Sequence, residues 1–147
     1  MSNKYGAVKT TVDGITFDSK MEAKFYKLLE ELIHNNEIKG YKRQVKFVVH
    51  DGYVKNGKKI RPITYVADFV IDHLDGETEI VDVKGFTTEV FNIKKKLFEK
   101  KYPSLTINCV TYSKIDGGWI ALEDLKRARK KRKLVRNGGA NESKRTR

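Results

Sequence analysis

Apolar positions along the chain follow two rhythms. Phe25, Leu28, Leu29, Leu32 and Ile33 recur at helical spacing and give one apolar stripe. Ser19-Lys20-Met21-Glu22 fits a capping box, so a helix opens at Asp18 or Ser19 and ends near Asn35-Asn36. From Ile38 to His50 the rhythm changes to alternation. Tyr41, Val45, Phe47 and Val49 lie on one parity and Lys42, Gln44 and Lys46 on the other, the pattern of a half-exposed or edge strand. Tyr65 to Ile71 and Ile80 to Val83 are short apolar runs rich in β-branched and aromatic residues, read as buried strands joined around Asp75-Gly76. A second helix begins at Thr87 or Thr88, with Val90, Ile93 and Leu97 as its stripe, Phe91 and Phe98 beside it, and Tyr102-Pro103 as its end. Leu105 to Tyr112 is a further strand, which that helix returns to the sheet as a crossover. Asp116-Gly117-Gly118 is a turn, and Trp119 to Val135 reads as a final helix. Before the first helix, Lys9 to Phe17 carries a small hairpin signal around Asp13-Gly14, after a frayed Met1 to Lys9. Helix, three strands, helix, strand, flanked by helices, is an α/β class domain with a mixed sheet.

Composition narrows the setting. A chain of 147 residues with 39% hydrophobic residues is one domain with tails: an N-terminal hairpin arm over 1–17, a main domain over 18–136, and a disordered basic tail over 137–147. No apolar run approaches the ~20 residues of a membrane span. The polar N-terminus lacks a signal region, and the single cysteine, Cys109, excludes a disulfide framework and a multi-cysteine zinc site. A cytoplasmic protein with no membrane partner and no small-molecule cofactor is the expectation. The net charge of +12 points to a polyanion, and nucleic acid is the partner that fits. Lys55, Lys58, Lys59 and Arg61 surround the Asn56-Gly57 turn, Lys94 and Lys95 lie on the second helix, and Lys126, Arg127, Arg129 and Lys130 on the last. These are the candidate phosphate contacts; the alternative is that they are solvated surface.

Two carboxylates change the picture again. Asp68 and Asp82 each stand inside a strand that otherwise reads as buried, and burying an unpaired charge costs several kcal/mol or forces neutralisation. Lys84 follows Asp82 by two residues, so both side chains leave the same face. The group is either an internal ion-pair cluster or a metal site. Two hard oxygen donors suit Mg²⁺ or Mn²⁺, and a metal beside a basic surface suggests phosphodiester hydrolysis. Glu22 has two readings that spacing leaves equal, the capping-box glutamate or a third acid at the site. The isolated His34, His50 and His73 do not form a nuclease motif of their own.

Asp68 followed by Asp82-Val83-Lys84 on the next strand, behind a helix carrying Glu22, resembles the PD-(D/E)XK nuclease superfamily. The segments KYGAVKTTVDGITFDSKMEA, ITYVADFV and VDVKGF are similar to small phage proteins of its Holliday-junction-resolving branch. The resemblance covers roughly Asp18 to Tyr112. It implies a restriction-endonuclease-like core and Mg²⁺-dependent cleavage of DNA, branched DNA in particular, by a homodimer in the host cytoplasm. It implies Glu22, Asp68, Asp82 and Lys84 as catalytic residues, Asp68, Asp82 and the Val83 carbonyl as metal ligands, and Gln44 as an accessory polar residue. Ala67 stands where the family motif has proline. The rivals are a non-catalytic nucleic-acid-binding protein and an assembly subunit whose basic tail holds a partner.

Overall fold

The computed structural model describes residues 8–145, with side-chain environments as far as residue 138. The chain runs β1 (Thr10–Val12), β2 (Ile15–Phe17), α1 (Lys20–His34), β3 (Ile38–His50), β4 (Tyr53–Lys55), β5 (Lys58–Ile60), β6 (Ile63–His73), β7 (Thr78–Val83), α2 (Glu89–Lys101), β8 (Ile107–Ser113), β9 (Gly118–Ala121) and α3 (Leu122–Arg145). The main sheet has the order β3-β6-β7-β8-β9, with β1-β2 and β4-β5 as separate hairpins. Only the β7–β8 pair of the main sheet is parallel, joined through α2 as the crossover such a pair needs. The domain is therefore mixed α/β, and β3 is an edge strand. Among the described residues no helix is long and apolar enough to cross a membrane.

Local chemistry accounts for the boundaries. Ser19 caps α1 by accepting the Glu22 N–H at 3.1 Å, and Thr88 caps α2 by accepting the Phe91 N–H at 3.1 Å. Asp13-Gly14 and Asn56-Gly57 both take positive φ, at 52° and 75° in each turn, as two-residue hairpin connections require.

Three expectations change. Val90 and Ile93 are exposed, and α2 instead buries Phe91 and Phe98 against the sheet. Phe98 packs within ring-contact distance of Phe47, Tyr65 and Tyr102, an aromatic cluster that two aliphatic side chains could not fill. Trp119 does not start a helix. Gly117 and Gly118, at φ 90° and 111°, fold the chain back so that Trp119 pairs with Tyr112 in β9. The last helix begins at Leu122, anchored by buried Leu122 and Leu125, and continues past Val135 and Asn137 to Arg145. The rest of the expected tail, and most of the expected frayed N-terminus, lie outside the described residues.

The core has two layers, one on each face of the sheet. Phe17, Phe25, Tyr26 and Leu29 meet Phe69, Ile71, Val81 and Val83 on the α1 face. Phe91 and Phe98 meet Val49, Tyr65, Ala67, Val70 and Ile80 on the α2 face. Tyr65 and Ala67 thus face α2, whereas Phe69 and Ile71, of the same parity, face α1. The edge strand does likewise: Tyr41 packs with the α1 layer, Val45 and Phe47 with the α2 layer. Both strands turn over between paired Arg43↔Phe69 and Val45↔Ala67. Gln44, between them, has φ 50°, which breaks the alternation. Asp68 lies at the same level on β6. The single-face alternation expected for β3 holds on each side of this point but not across it.

A left-handed residue without a glycine is disfavoured by about 1–2 kcal/mol. Gln44→Gly is therefore expected to hold or raise the urea midpoint. Gln44→Val should lower stability despite valine's preference for strands, because a β-branched side chain tolerates this conformation less well than glutamine. A valine variant as stable as the parent would mean the reversal does not depend on this backbone conformation.

Candidate functional site

The turned-over strands place Asp68 beside the end of β7. Phe69 pairs with Val81 in this antiparallel register, so one step further along Asp68 and Asp82 lie across from each other on the neighbouring strands. The Val83 N–H donates to Asp68 Oδ2 at 3.0 Å, and Gln44 Nε2 to Asp68 Oδ1 at 3.4 Å. Asp82 is only 2% exposed. Its Oδ2 accepts a hydrogen bond from the buried Tyr65 hydroxyl, and Lys84 Nζ lies 3.8 Å from its Oδ1. Lys84 also sits 4.4 Å from the centre of the Phe91 ring, on the α2 face. The alternation argument for Asp82 and Lys84 thus holds in the structure.

Glu22 separates its two readings through its own atoms. The cap uses its backbone N–H. Among the described residues no bond returns from the Glu22 carboxylate to the Ser19 N–H, so the capping box is half formed. The carboxylate is instead buried in the first turn of α1, where the charges that reach it are Asp18, Asp82, Lys84 and Arg43. Arg43 was not marked by the sequence. It lies over the Phe17 ring at 4.3 Å, and its Nε is buried without a hydrogen-bond partner.

Burial, the charge of Asp82 and that of Glu22 push the Asp68 carboxyl up to about 8, against the opposing hydrogen bond from Val83. Desolvation, followed by the charges of Asp18 and Asp82, raises Glu22 to about 7. The Tyr65 hydroxyl is pushed well above its ordinary value by burial and then by Asp82. Cys109, opposite Asp82 on β8, is raised to about 11 by desolvation first and then by Asp82. A negative charge at Asp82 thus contributes to the raised values of Asp68, Glu22, Tyr65 and Cys109. Tyr65 was missed because its ring makes it read as strand core; only its hydroxyl reaches the site.

The other candidates fall into separate groups. Lys55, Lys58, Lys59 and Arg61 gather on and beside the β4–β5 hairpin. Lys95 of α2 and Lys126 of α3 line one cleft of about 410 Å³ together with Asn92, Asn108 and Cys109. Lys94 shares α2 with Lys95, which pairs with Glu99 at 2.8 Å. Arg127, Arg129 and Lys130 follow along α3, Arg127 pairing with Asp124 at 3.4 Å. Among the described residues no three His, Cys, Asp or Glu side chains are arranged to hold one metal ion. The carboxylate pair with the Val83 carbonyl is a different set, of two acids and one backbone oxygen.

The family model described as "Protein of unknown function (DUF1064)" matches residues 2–117. The chain belongs to this family. The matched span takes in Glu22, Gln44, Asp68, Asp82, Lys84 and the β4–β5 hairpin, and stops before β9 and α3. No curated protein matches the chain.

The raised carboxyls give the pH dependence a definite sign. A carboxyl whose folded pKa lies above its unfolded value stabilises the fold fully below the unfolded pKa. That contribution is lost as pH rises through the folded pKa. For Asp68 the window runs from 3.8 to about 8, and for Glu22 from 4.5 to about 7. In chelator, thermal stability should therefore fall as pH rises from about 4 to about 8, and Asp68→Asn should flatten the decline. A parent protein equally stable at both ends, with the variant following it, would contradict the assigned direction.

Proposed function

We propose that this chain is a metal-dependent endodeoxyribonuclease that hydrolyses phosphodiester bonds. The observation that carries the reading is the pair of carboxylates, Asp68 and Asp82, on adjacent strands with Lys84 beside Asp82. A buried acid, Asp82, and a half-buried one, Asp68, whose carboxyl is raised by the charge of Asp82, are poorly explained as an ion-pair cluster with one lysine. They fit a divalent cation, because their oxygens are hard donors and a cation between them would keep both ionised. Asp68, Asp82 and the Val83 carbonyl would hold Mg²⁺ or Mn²⁺. Such an ion, when bound, polarises a phosphoryl oxygen and acidifies water.

The remaining roles belong to the chain. Tyr65 and Gln44 hold the two carboxylates in orientation. Lys84 stabilises negative charge developing at phosphorus. Glu22, whose carboxyl titrates at about 7, takes the proton from the attacking water at its carboxylate oxygen. The basic groups of the hairpin, α2 and α3 bind the phosphate backbone without reading sequence. The resemblance to junction-resolving nucleases supports branched DNA as the substrate. Two symmetric cuts need two sites, hence a homodimer.

A second reading rests on two observations: no three His, Cys, Asp or Glu side chains gather to hold a metal among the described residues, and Lys84 lies within ion-pair distance of Asp82. It makes the chain a DNA-binding protein without catalysis.

Cleavage of linear, nicked and four-way DNA with and without Mg²⁺ separates the two. The nuclease reading expects cutting that EDTA abolishes; equal binding with no cutting in either condition supports the second reading. Asp82→Asn should reduce the rate by at least about a hundredfold, since it removes a ligand charge at nearly constant shape. Asp82→Asn cutting at the parent rate would remove Asp82 from the site. Glu22→Gln should keep the melting temperature below about pH 5 and hold or raise it at neutral pH, because the cap needs only the backbone N–H and the buried charge is removed, yet slow cleavage by roughly 10²–10⁴. Full activity in that variant would leave Glu22 as a helix-cap residue alone. The protein should sediment as a dimer and prefer four-way junctions, and a monomer that nicks linear duplex equally well would leave a general endonuclease.

A further inference from the structure

The β4–β5 hairpin takes no part in the carboxylate site, yet it is built with care. All six of its strand residues are exposed, and its register is Tyr53↔Ile60, Val54↔Lys59 and Lys55↔Lys58. Asn56 and Gly57 fix its tip in the left-handed turn described above. Its root is fixed by Gly52, where a Cβ would stand 2.9 Å from the Ile60 carbonyl oxygen.

Two of its features work against the free protein. Lys55 and Lys58 stand directly opposite each other, and like charges across a strand pair are destabilising. A two-stranded ribbon is itself only marginally stable in water. Lys59 and Arg61 add to the repulsion, and no acid occurs between Gly52 and Ala67. Asp51, just before the root, is paired with Lys101 at 3.0 Å. The second feature is apolar. Tyr53 and Ile60, 51% and 38% exposed, form a cross-strand pair. By the two-residue alternation of a strand they share a face with Lys55 and Lys58. A polyanion that also offers an apolar surface relieves both features at once.

We propose that this hairpin is an arm that enters the major groove of duplex DNA beside the cut. The proposal rests on the reading of the chain as a DNA-cleaving enzyme and adds which part of the substrate it grips. The major groove of undistorted duplex, about 12 Å wide, admits a two-stranded ribbon as it stands, whereas the minor groove, about 6 Å wide, has to be opened by bending the DNA. The cations meet phosphates on the groove rims, and Tyr53 with Ile60 meets its floor, where thymine methyls and cytosine edges lie. From Ile60, at the end of β5, to Asp68 the chain spans at most eight residues, about 26 Å at ~3.3 Å per residue. At about 3.4 Å per base step the groove met by Tyr53 and Ile60 lies within roughly eight base pairs of the carboxylates.

The test is equilibrium binding of the full chain in EDTA, where no cleavage occurs. One duplex carries ordinary cytosine; the other carries glucosylated 5-hydroxymethylcytosine, which fills the major groove. Wild type should bind the filled duplex roughly tenfold or more weakly, since the phosphate contacts alone remain. Lys55→Gln with Lys58→Gln should weaken binding to the ordinary duplex and make the slope of log affinity against log salt shallower by about 1.8. Tyr53→Ala with Ile60→Ala should shrink the difference between the two duplexes while keeping the salt slope. Equal binding of both duplexes by wild type would overturn the groove assignment. An unchanged affinity and slope in the lysine variant would overturn the arm itself. These outcomes are independent of cleavage: dependence on the arm in a chain that never cuts DNA would sustain the arm and end the nuclease reading.

Discussion

The arrangement depends on one unfavourable interaction, the repulsion between Asp68 and Asp82 in a site where Asp82 is buried and Asp68 half-buried. Asp82 is almost fully buried, and its charge raises the affinity of Asp68, Glu22, Tyr65 and Cys109 for their protons. A fold does not keep such a pair for stability, because apolar side chains of similar volume would serve as well or better. What keeps the pair tolerable here is hydrogen bonding: Tyr65 to Asp82, and the Val83 N–H and Gln44 to Asp68. Those bonds hold both carboxylates in place and leave their charge conflict unresolved, which is the condition under which a divalent cation binds strongly.

The conflict is created by backbone geometry. The reversal of β3 and β6 around Gln44 exchanges which face each strand presents to α1 and α2. Below it, Phe69 and Ile71 build the α1 layer; above it, Tyr65 and Ala67 build the α2 layer. At the crossing Asp68 is left in neither layer, beside the end of β7. The same reversal puts Tyr65 on the face of Asp82 and so supplies the bond that orients it. Stability and site share one distortion, and a regular strand there would improve the first while dismantling the second.

Much of this was legible in the sequence, for reasons that differ by residue. Asp68, Asp82 and Lys84 declared themselves because charge inside apolar strands is rare and alternation fixes the face. The element order up to β8 followed from caps, turns and periodicity, except that β4 and β5 read only as a basic loop around the Asn56-Gly57 turn. The use of Phe91 and Phe98 in place of Val90 and Ile93 was not legible, since adjacent stripes on a helix differ by one residue's rotation and the partner surface decides between them. β9 was missed because four residues carry little periodicity, and Trp119 begins an otherwise helical stretch. The reversal at Gln44 has no local signature: glutamine is not a residue that announces positive φ. Glu22 stayed open because spacing cannot tell whether a cap uses a backbone N–H alone or a carboxylate as well.

The account stands most directly on whether the carboxylate pair takes up a divalent ion. Mn²⁺ titration of the DNA-free protein near pH 7, followed by paramagnetic resonance with calorimetry in two buffers of different ionisation enthalpy, measures this without reference to cleavage. The account expects saturable binding accompanied by proton release, because Asp68 and Glu22 are partly protonated beforehand, and loss of that binding in Asp68→Asn and Asp82→Asn. Mn²⁺ uptake no stronger in the parent than in either variant would contradict it.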